Sequence, residues 1–251
     1  MAILTMVNGK PFDLGEALRQ SMLRDSKQFL DKCIDELLIR QYAHKTNITN
    51  SDDELQVALD ELRYAWGLES SEAFKQWLKS NHQRLLSLQN YVDYKLLRSK
   101  VIGSIPDSEI KAYFAEHQLD FDRVELYSIR VGSQEQAEVL LGKITEEGKN
   151  FHILAMEHSL DEETRPMTGY VGKVTRGELT VEIEAAVFKA QPGEVIGPLK
   201  TEKGYNLFKV SAVYPANLES ERNYIRTQQF QNLLAQLRAE ATITYPILEA
   251  E

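Results

Sequence analysis

Cysteine is almost missing: Cys33 is the only one in 251 residues. A lone thiol excludes an internal disulfide, and its place in an amphipathic helical pattern marks it for burial. Positive charge is short as well. Lys and Arg number 29 against 38 Asp and Glu, a net charge of −9, which argues against nucleic acid or an anionic membrane as the main partner. No apolar run is long enough to span a bilayer. Met1 to Lys10 carries neither a basic leader nor an apolar segment with a cleavage site, so the chain reads as cytoplasmic. The five histidines are scattered and suggest no metal site. No nucleophile-elbow pattern supports a hydrolase, and there are no internal repeats or low-complexity segments.

What is present is a central α/β stretch, Val124 to Val210, framed by helices. It opens on the strand pattern Val124-Glu125-Leu126-Tyr127-Ser128-Ile129-Arg130-Val131. Helices follow over Gln134 to Gly148 and from Phe151, with Phe151, Leu154 and Ala155 on one face. A loop from Ser159 to Pro166 leads into the glycine-punctuated Gly169-Tyr170-Val171-Gly172. After a short helix, Glu182 to Lys189, come Pro192-Gly193-Glu194, Gly197-Pro198, Thr201 and a last strand from Gly204.

The ordered set F-x-x-L-A-x-x-x-S, G-x-x-G, Val187-Phe188, Pro192-Gly193-Glu194, Gly197-Pro198 and Thr201…Gly204-Tyr205 resembles a parvulin-type peptidyl-prolyl isomerase domain over its whole length. The resemblance implies an α+β fold, a four-stranded antiparallel sheet with about four helices, over residues 121–215.

Residues 1 to about 100 read as helices. Phe29, Leu30, Cys33, Ile34, Leu37, Leu38 and Tyr42 make one apolar stripe. Thr49-Asn50-Ser51-Asp52-Asp53-Glu54 supplies a cap and an acidic first turn, Ser70-Ser71-Glu72 starts another helix, and the longest pattern runs from Asn81 to about Lys100. This half is similar to the N-terminal helical domain of SurA-like and PrsA-like foldases, through Val7-Asn8-Gly9-Lys10-Pro11, Ile34-Asp35-Glu36-Leu37-Leu38, Thr49…Glu54-Leu55 and Asp107 to Tyr113. Glu219 to about Glu240 is amphipathic again, with Tyr224, Phe230, Leu233, Leu234 and Leu237 near one face, followed by a β-branched run from Ala241. The resemblance implies a discontinuous all-α chaperone-like domain, residues 1–120 plus 216–251. Ile3 to Met6 is expected to pair with Thr242-Ile243-Thr244.

Turning an Xaa-Pro bond makes and breaks no bond, but its amide barrier is about 20 kcal/mol, so a catalyst must grip the twisted amide better than either planar form. The resemblance places a proline slot at Leu179, Ile183 and Val171, with Phe188 beside it, and polar groups at Asp161, Ser128, Asn206 and Thr201. Parvulins typically carry two facing histidines where this chain has Ser128 and Asn206. That pair can hydrogen-bond across the strands but does not titrate near neutrality. Two readings follow: a slow isomerase or foldase acting on unfolded, proline-containing polypeptide, or a peptide-binding escort for a specific client. Neither calls for a metal or cofactor. The acidic balance leans toward basic or neutral clients, and Arg165 among Asp161, Glu162 and Glu163 argues against phosphate recognition.

Overall fold

The computed structural model of the chain describes residues 3–7, 10–23 and 27–249. It forms two compact units, one of residues 1–110 and 226–251, the other of residues 111–225.

The first unit is mostly helical. Strands β1 (Ile3–Val7) and β2 (Lys10–Asp13) form an antiparallel hairpin, followed by α1 (Leu14–Leu23), α2 (Lys27–Lys45), α3 (Asp52–Ala65), α4 (Ser71–Ser80) and α5 (Leu85–Gly103). Helix α6 (Asp107–Glu116) leads out of this unit. Two helices follow the sheet unit in the chain, α10 (Leu218–Glu240) and α11 (Pro246–Glu249). β1 pairs with β2, and residues 241–245 form no strand, so the expected pairing of Ile3–Met6 with Thr242–Thr244 is not made. Asn8 and Gly9, within the Val7–Pro11 stretch that carries the resemblance to the foldases, lie outside the described residues.

Helix α3 begins at a capping box: Ser51 Oγ accepts from Glu54 N, and Glu54 Oε2 accepts from Ser51 N. α5 starts at Leu85 rather than Asn81, because Asn81 caps the end of α4 and returns its side-chain amide to Trp77 O. Leu59, Leu68, Phe74, Leu88 and Val92 form the core between α3, α4 and α5.

On α2 the buried residues are Leu38, Ile39 and Ala43, while Phe29 and Leu37 are exposed. Cys33, expected to be buried, is exposed too. The inward face of α2 is therefore rotated from the expected stripe, and Phe29, Cys33 and Leu37 stand four apart on its outer side. Charged groups join the helices: Arg40 reaches Asp93 and Asn90 O on α5, Lys100 reaches Glu54 and Thr49 O, and Arg238 of α10 reaches Asp31 and Asp35. Phe230 and Leu234 of α10 are buried, with the Arg98 guanidinium 4.9 Å from the Phe230 ring centroid.

The second unit is built on a four-stranded antiparallel sheet. Its remaining elements are β3 (Arg123–Val131), α7 (Gln134–Thr145), α8 (Phe151–His158), β4 (Tyr170–Thr175), α9 (Val181–Val187), β5 (Val195–Thr201) and β6 (Gly204–Tyr214), with strand order β4-β3-β6-β5. Alternation along β3 and β6 divides the core into two layers. Ile129, Val131 and Leu207 pack under α7 and α8 with Ala137, Leu140, Phe151, Leu154 and Ala155. Leu126, Phe208 and Val210 point the other way, toward Ile183 and Val187 of α9. At the start of α10, Ile225 is buried and Tyr224, expected on the apolar face, is 54% exposed.

Candidate functional site

Ser128 and Asn206 lie on the α9 side of the central strands, where the apolar layer gives way to polar groups. In register, Arg130 stands opposite Asn206, and Leu199 of β5 flanks Asn206 on the other side. Both polar side chains are buried, Ser128 at 2% and Asn206 at 8% exposure. Asn206 Nδ2 donates to Ser128 Oγ at 2.9 Å, the cross-strand bond that the pair allows. Thr201 Oγ1 lies 3.2 Å from Asn206 Oδ1 and 3.0 Å from Gly204 O, so its single proton serves one acceptor at a time. Thr201, Asn206 and Ser128 are thus one hydrogen-bonded line across β5, β6 and β3.

Two glycines make this line possible. Gly169 (φ +86°) accepts from Ser128 N at 2.7 Å, and a Cβ there would sit 2.6 Å from Ser128 O. Gly197 (φ +123°) lies as close to Asn206 O. Only a residue without a side chain admits both the left-handed backbone and the approach.

Asp161 is held beside the same strand. Leu160 N donates to Arg130 O at 2.7 Å, and Ser159 Oγ accepts from Arg130 N and Asp161 N. The loop at 159–161 thereby occupies the edge of β3 beyond the last β4 pairing, Tyr127 with Tyr170. Arg130 Nη2 approaches Asp161 Oδ1 at 3.4 Å and Leu160 O at 3.3 Å. Ser159 ends the F-x-x-L-A-x-x-x-S motif but was not read as a site residue from the sequence, and neither was Arg130. The available signal was Arg130 standing two residues after Ser128, hence on the same face of a strand.

The apolar groups are brought together less completely. Leu179 is partly buried and packs on the layer formed by Val124, Leu126, Ile183, Val187 and Phe208, as does Leu199. Ile183 belongs to that core at 6% exposure, because α9 presses its Ile183–Val187 face onto the sheet, so it offers a substrate little surface. Phe188 carries the Arg176 guanidinium 4.0 Å from its ring centroid, which closes that ring face to a substrate. Val171 is 39% exposed and lies outside this layer. A cavity of about 600 Å³ lies on the α7 side of β3, lined by Val131, Gly132, Val139, Leu140, His158 and Leu160 among others, and contains none of the polar line. Among the described residues there is no cluster of three or more His, Cys, Asp or Glu side chains that could hold a metal, and no helix long and apolar enough to cross a membrane.

A sheet ordered β4-β3-β6-β5, with α7 and α8 on one face and α9 on the other, is the architecture of a parvulin-type domain. Residues 129–212 match the model of the rotamase family, the PPIC-type PPIase domain. Among relatives, the foldase protein PrsA of Caldanaerobacter subterraneus subsp. tengcongensis is 27% identical over 184 residues, 73% of this chain and 56% of that protein. The chain thus spans little more than half the length of that relative. A parvulin-like PPIase of Rickettsia typhi is 23% identical over 231 residues, 88% of this chain and 73% of that protein. A crystal structure of the peptidylprolyl isomerase PrsA from Bacillus cereus superposes with a TM-score of 0.51 at 18% identity, covering 99% of this chain and 96% of that one. At that identity the superposition speaks for the fold.

Proposed function

We propose that the chain is a peptidyl-prolyl cis/trans isomerase of the foldase type, acting slowly on Xaa-Pro bonds of unfolded polypeptide. The observation that carries this reading is the Thr201–Asn206–Ser128 line, on the same sheet face as an apolar layer against which Leu179 and Leu199 pack. The reaction requires no proton transfer, since only the amide torsion changes. Neutral hydroxyl and amide groups can therefore hold a twisted amide by hydrogen bonds, while an apolar wall grips the proline ring. What the chain gives up by lacking imidazoles at 128 and 206 is electrostatic stabilisation, so the turnover is low.

The helical unit serves in this reading as a holding surface for apolar client segments. The support is the exposed row of Phe29, Cys33 and Leu37 on α2. The relatives named foldase favour the same client class, unfolded polypeptide.

The test is refolding of a denatured protein whose slow phase is limited by proline isomerisation. Addition of the wild-type chain is expected to shorten that phase, and Leu179→Ala to shorten it less. If the slow phase keeps its rate while aggregation is suppressed, the protein is a holdase and the isomerase reading fails.

A further inference from the structure

The loop at 159–161 and the strand residue Arg130 are joined by more contacts than a surface loop needs. Ser159 is 1% exposed, and its hydroxyl oxygen accepts from two backbone amides, Arg130 N and Asp161 N. Leu160 exchanges contacts with Arg130 in both directions, giving its N–H to Arg130 O and taking Arg130 Nη2 on its carbonyl. The same Nη2 lies 3.4 Å from Asp161 Oδ1, and both side chains are about one-fifth exposed, at 19% and 20%. Glu163 N also donates to Oδ1, at 3.2 Å. Both of these contacts of the carboxylate converge on one oxygen, Oδ1, on the side facing Arg130.

Arg130 belongs to the site by position. It is the register partner of Asn206 and shares a strand face with Ser128. A guanidinium there is at once a member of the polar face and the tether of Asp161. We propose that Arg130 is the positioning residue of this site: paired with the Asp161 carboxylate, it holds that loop residue beside the strand that carries Ser128. In a site without imidazole, it sets a cation in register with Asn206. The proposal rests on the isomerase reading above and assigns Arg130 no direct contact with substrate.

A positioning group acts on the bound complex, so its loss lowers the saturated rate rather than the affinity. The experiment is catalysed cis/trans exchange of an Ala-Pro peptide, measured by NMR over a range of peptide concentrations, for wild type, Arg130→Leu, Arg130→Lys and Asp161→Asn. Amide spectra establish that each variant is folded. Arg130→Leu is expected to lower kcat about tenfold or more with KM unchanged, in the range that misplacing a site group produces. Arg130→Lys, which keeps the charge, is expected to recover most of that loss. Asp161→Asn should match Arg130→Leu, and the double variant should be no worse than either.

A wild-type rate in Arg130→Leu overturns the proposal and leaves the isomerase reading intact. So does a loss expressed as raised KM, or a Lys variant no better than Leu. A wild-type chain that catalyses no exchange overturns both together. A variant that fails to fold is replaced in the comparison by Arg130→Gln, judged by the same split.

Discussion

At the scale of single residues, the site is defined by which groups can titrate. Ser128, Asn206 and Thr201 are joined by hydrogen bonds of 2.9 and 3.2 Å, and none changes charge near neutrality. The catalysed exchange rate is therefore expected to be flat between about pH 6 and 8. A histidine-dependent site would instead show an inflection near the unperturbed imidazole value of about 6.5. A pH profile at fixed peptide concentration checks this, and an inflection in that range would contradict it. The pairing of Ser128 with Asn206 was legible in the sequence through the parvulin resemblance, which puts two facing residues of adjacent strands at those positions. Arg130 was not, because an arginine on a strand reads as a solvated charge until a loop is seen folding over it. Phe188 misled for the converse reason: a phenylalanine after a helix looks available, and only the structure shows the Arg176 guanidinium covering its ring.

At the scale of elements, glycine decides how closely the strands and turns approach the site. Gly197→Ala must place a Cβ 2.6 Å from Asn206 O on a backbone with φ +123°, so β5 has to move. Backbone strain alone costs about 1–2 kcal/mol, and the clash adds to it. Gly172 also has positive φ, +114°, but a Cβ at that position would meet nothing within 4 Å, so Gly172→Ala carries the strain without the clash. Chemical denaturation of the two variants should give the larger loss for Gly197→Ala, accompanied by amide shifts at Asn206 and Ser128. Equal losses without those shifts would mean that β5 accommodates the side chain. Helix existence was readable from apolar spacing and caps, as Ser51 and Ser70 demonstrate. Helix rotation was not. On α2 the run Phe29–Tyr42 holds enough apolar residues for two overlapping stripes, and packing selected the one through Leu38, Ile39 and Ala43. The hairpin pairing of β1 with β2 likewise won over a distant strand because its loop is short and closes at low entropy.

At the scale of the molecule, acid stability has a traceable source in the sheet unit. Glu221 is buried at 5% exposure and accepts from Arg123 Nη1 at 2.7 Å and Nη2 at 3.2 Å. Hydrogen bonding from Arg123 holds its carboxyl below the usual value of 4.5, against the opposing effect of burial. The lowered value means that the folded form binds this proton less readily than the unfolded chain. The contribution is therefore present in full above about pH 4.5 and is lost as pH falls through the folded-state value. Thermal unfolding followed from pH 7 to pH 3 should show stability declining in that window, and Glu221→Gln should flatten part of the decline. A variant with an unchanged pH dependence would assign acid sensitivity to other carboxylates. Most of the architecture of this unit was readable beforehand, since its motifs fall in fixed order between Val124 and Val210.

The central claim is that a site built around a hydrogen-bonded line of neutral side chains, with no imidazole in it, turns an Xaa-Pro bond. Uncatalysed, that bond takes tens to hundreds of seconds to isomerise at 25 °C. The most direct test is a two-dimensional exchange spectrum of a short Ala-Pro peptide at a mixing time of about one second, recorded with and without the wild-type chain. The account predicts cis–trans cross-peaks only when the protein is present, together with amide shifts at Ser128, Thr201 and Asn206. Peptide-induced shifts at those three residues without cross-peaks would contradict it, and would leave a site that holds proline without turning it.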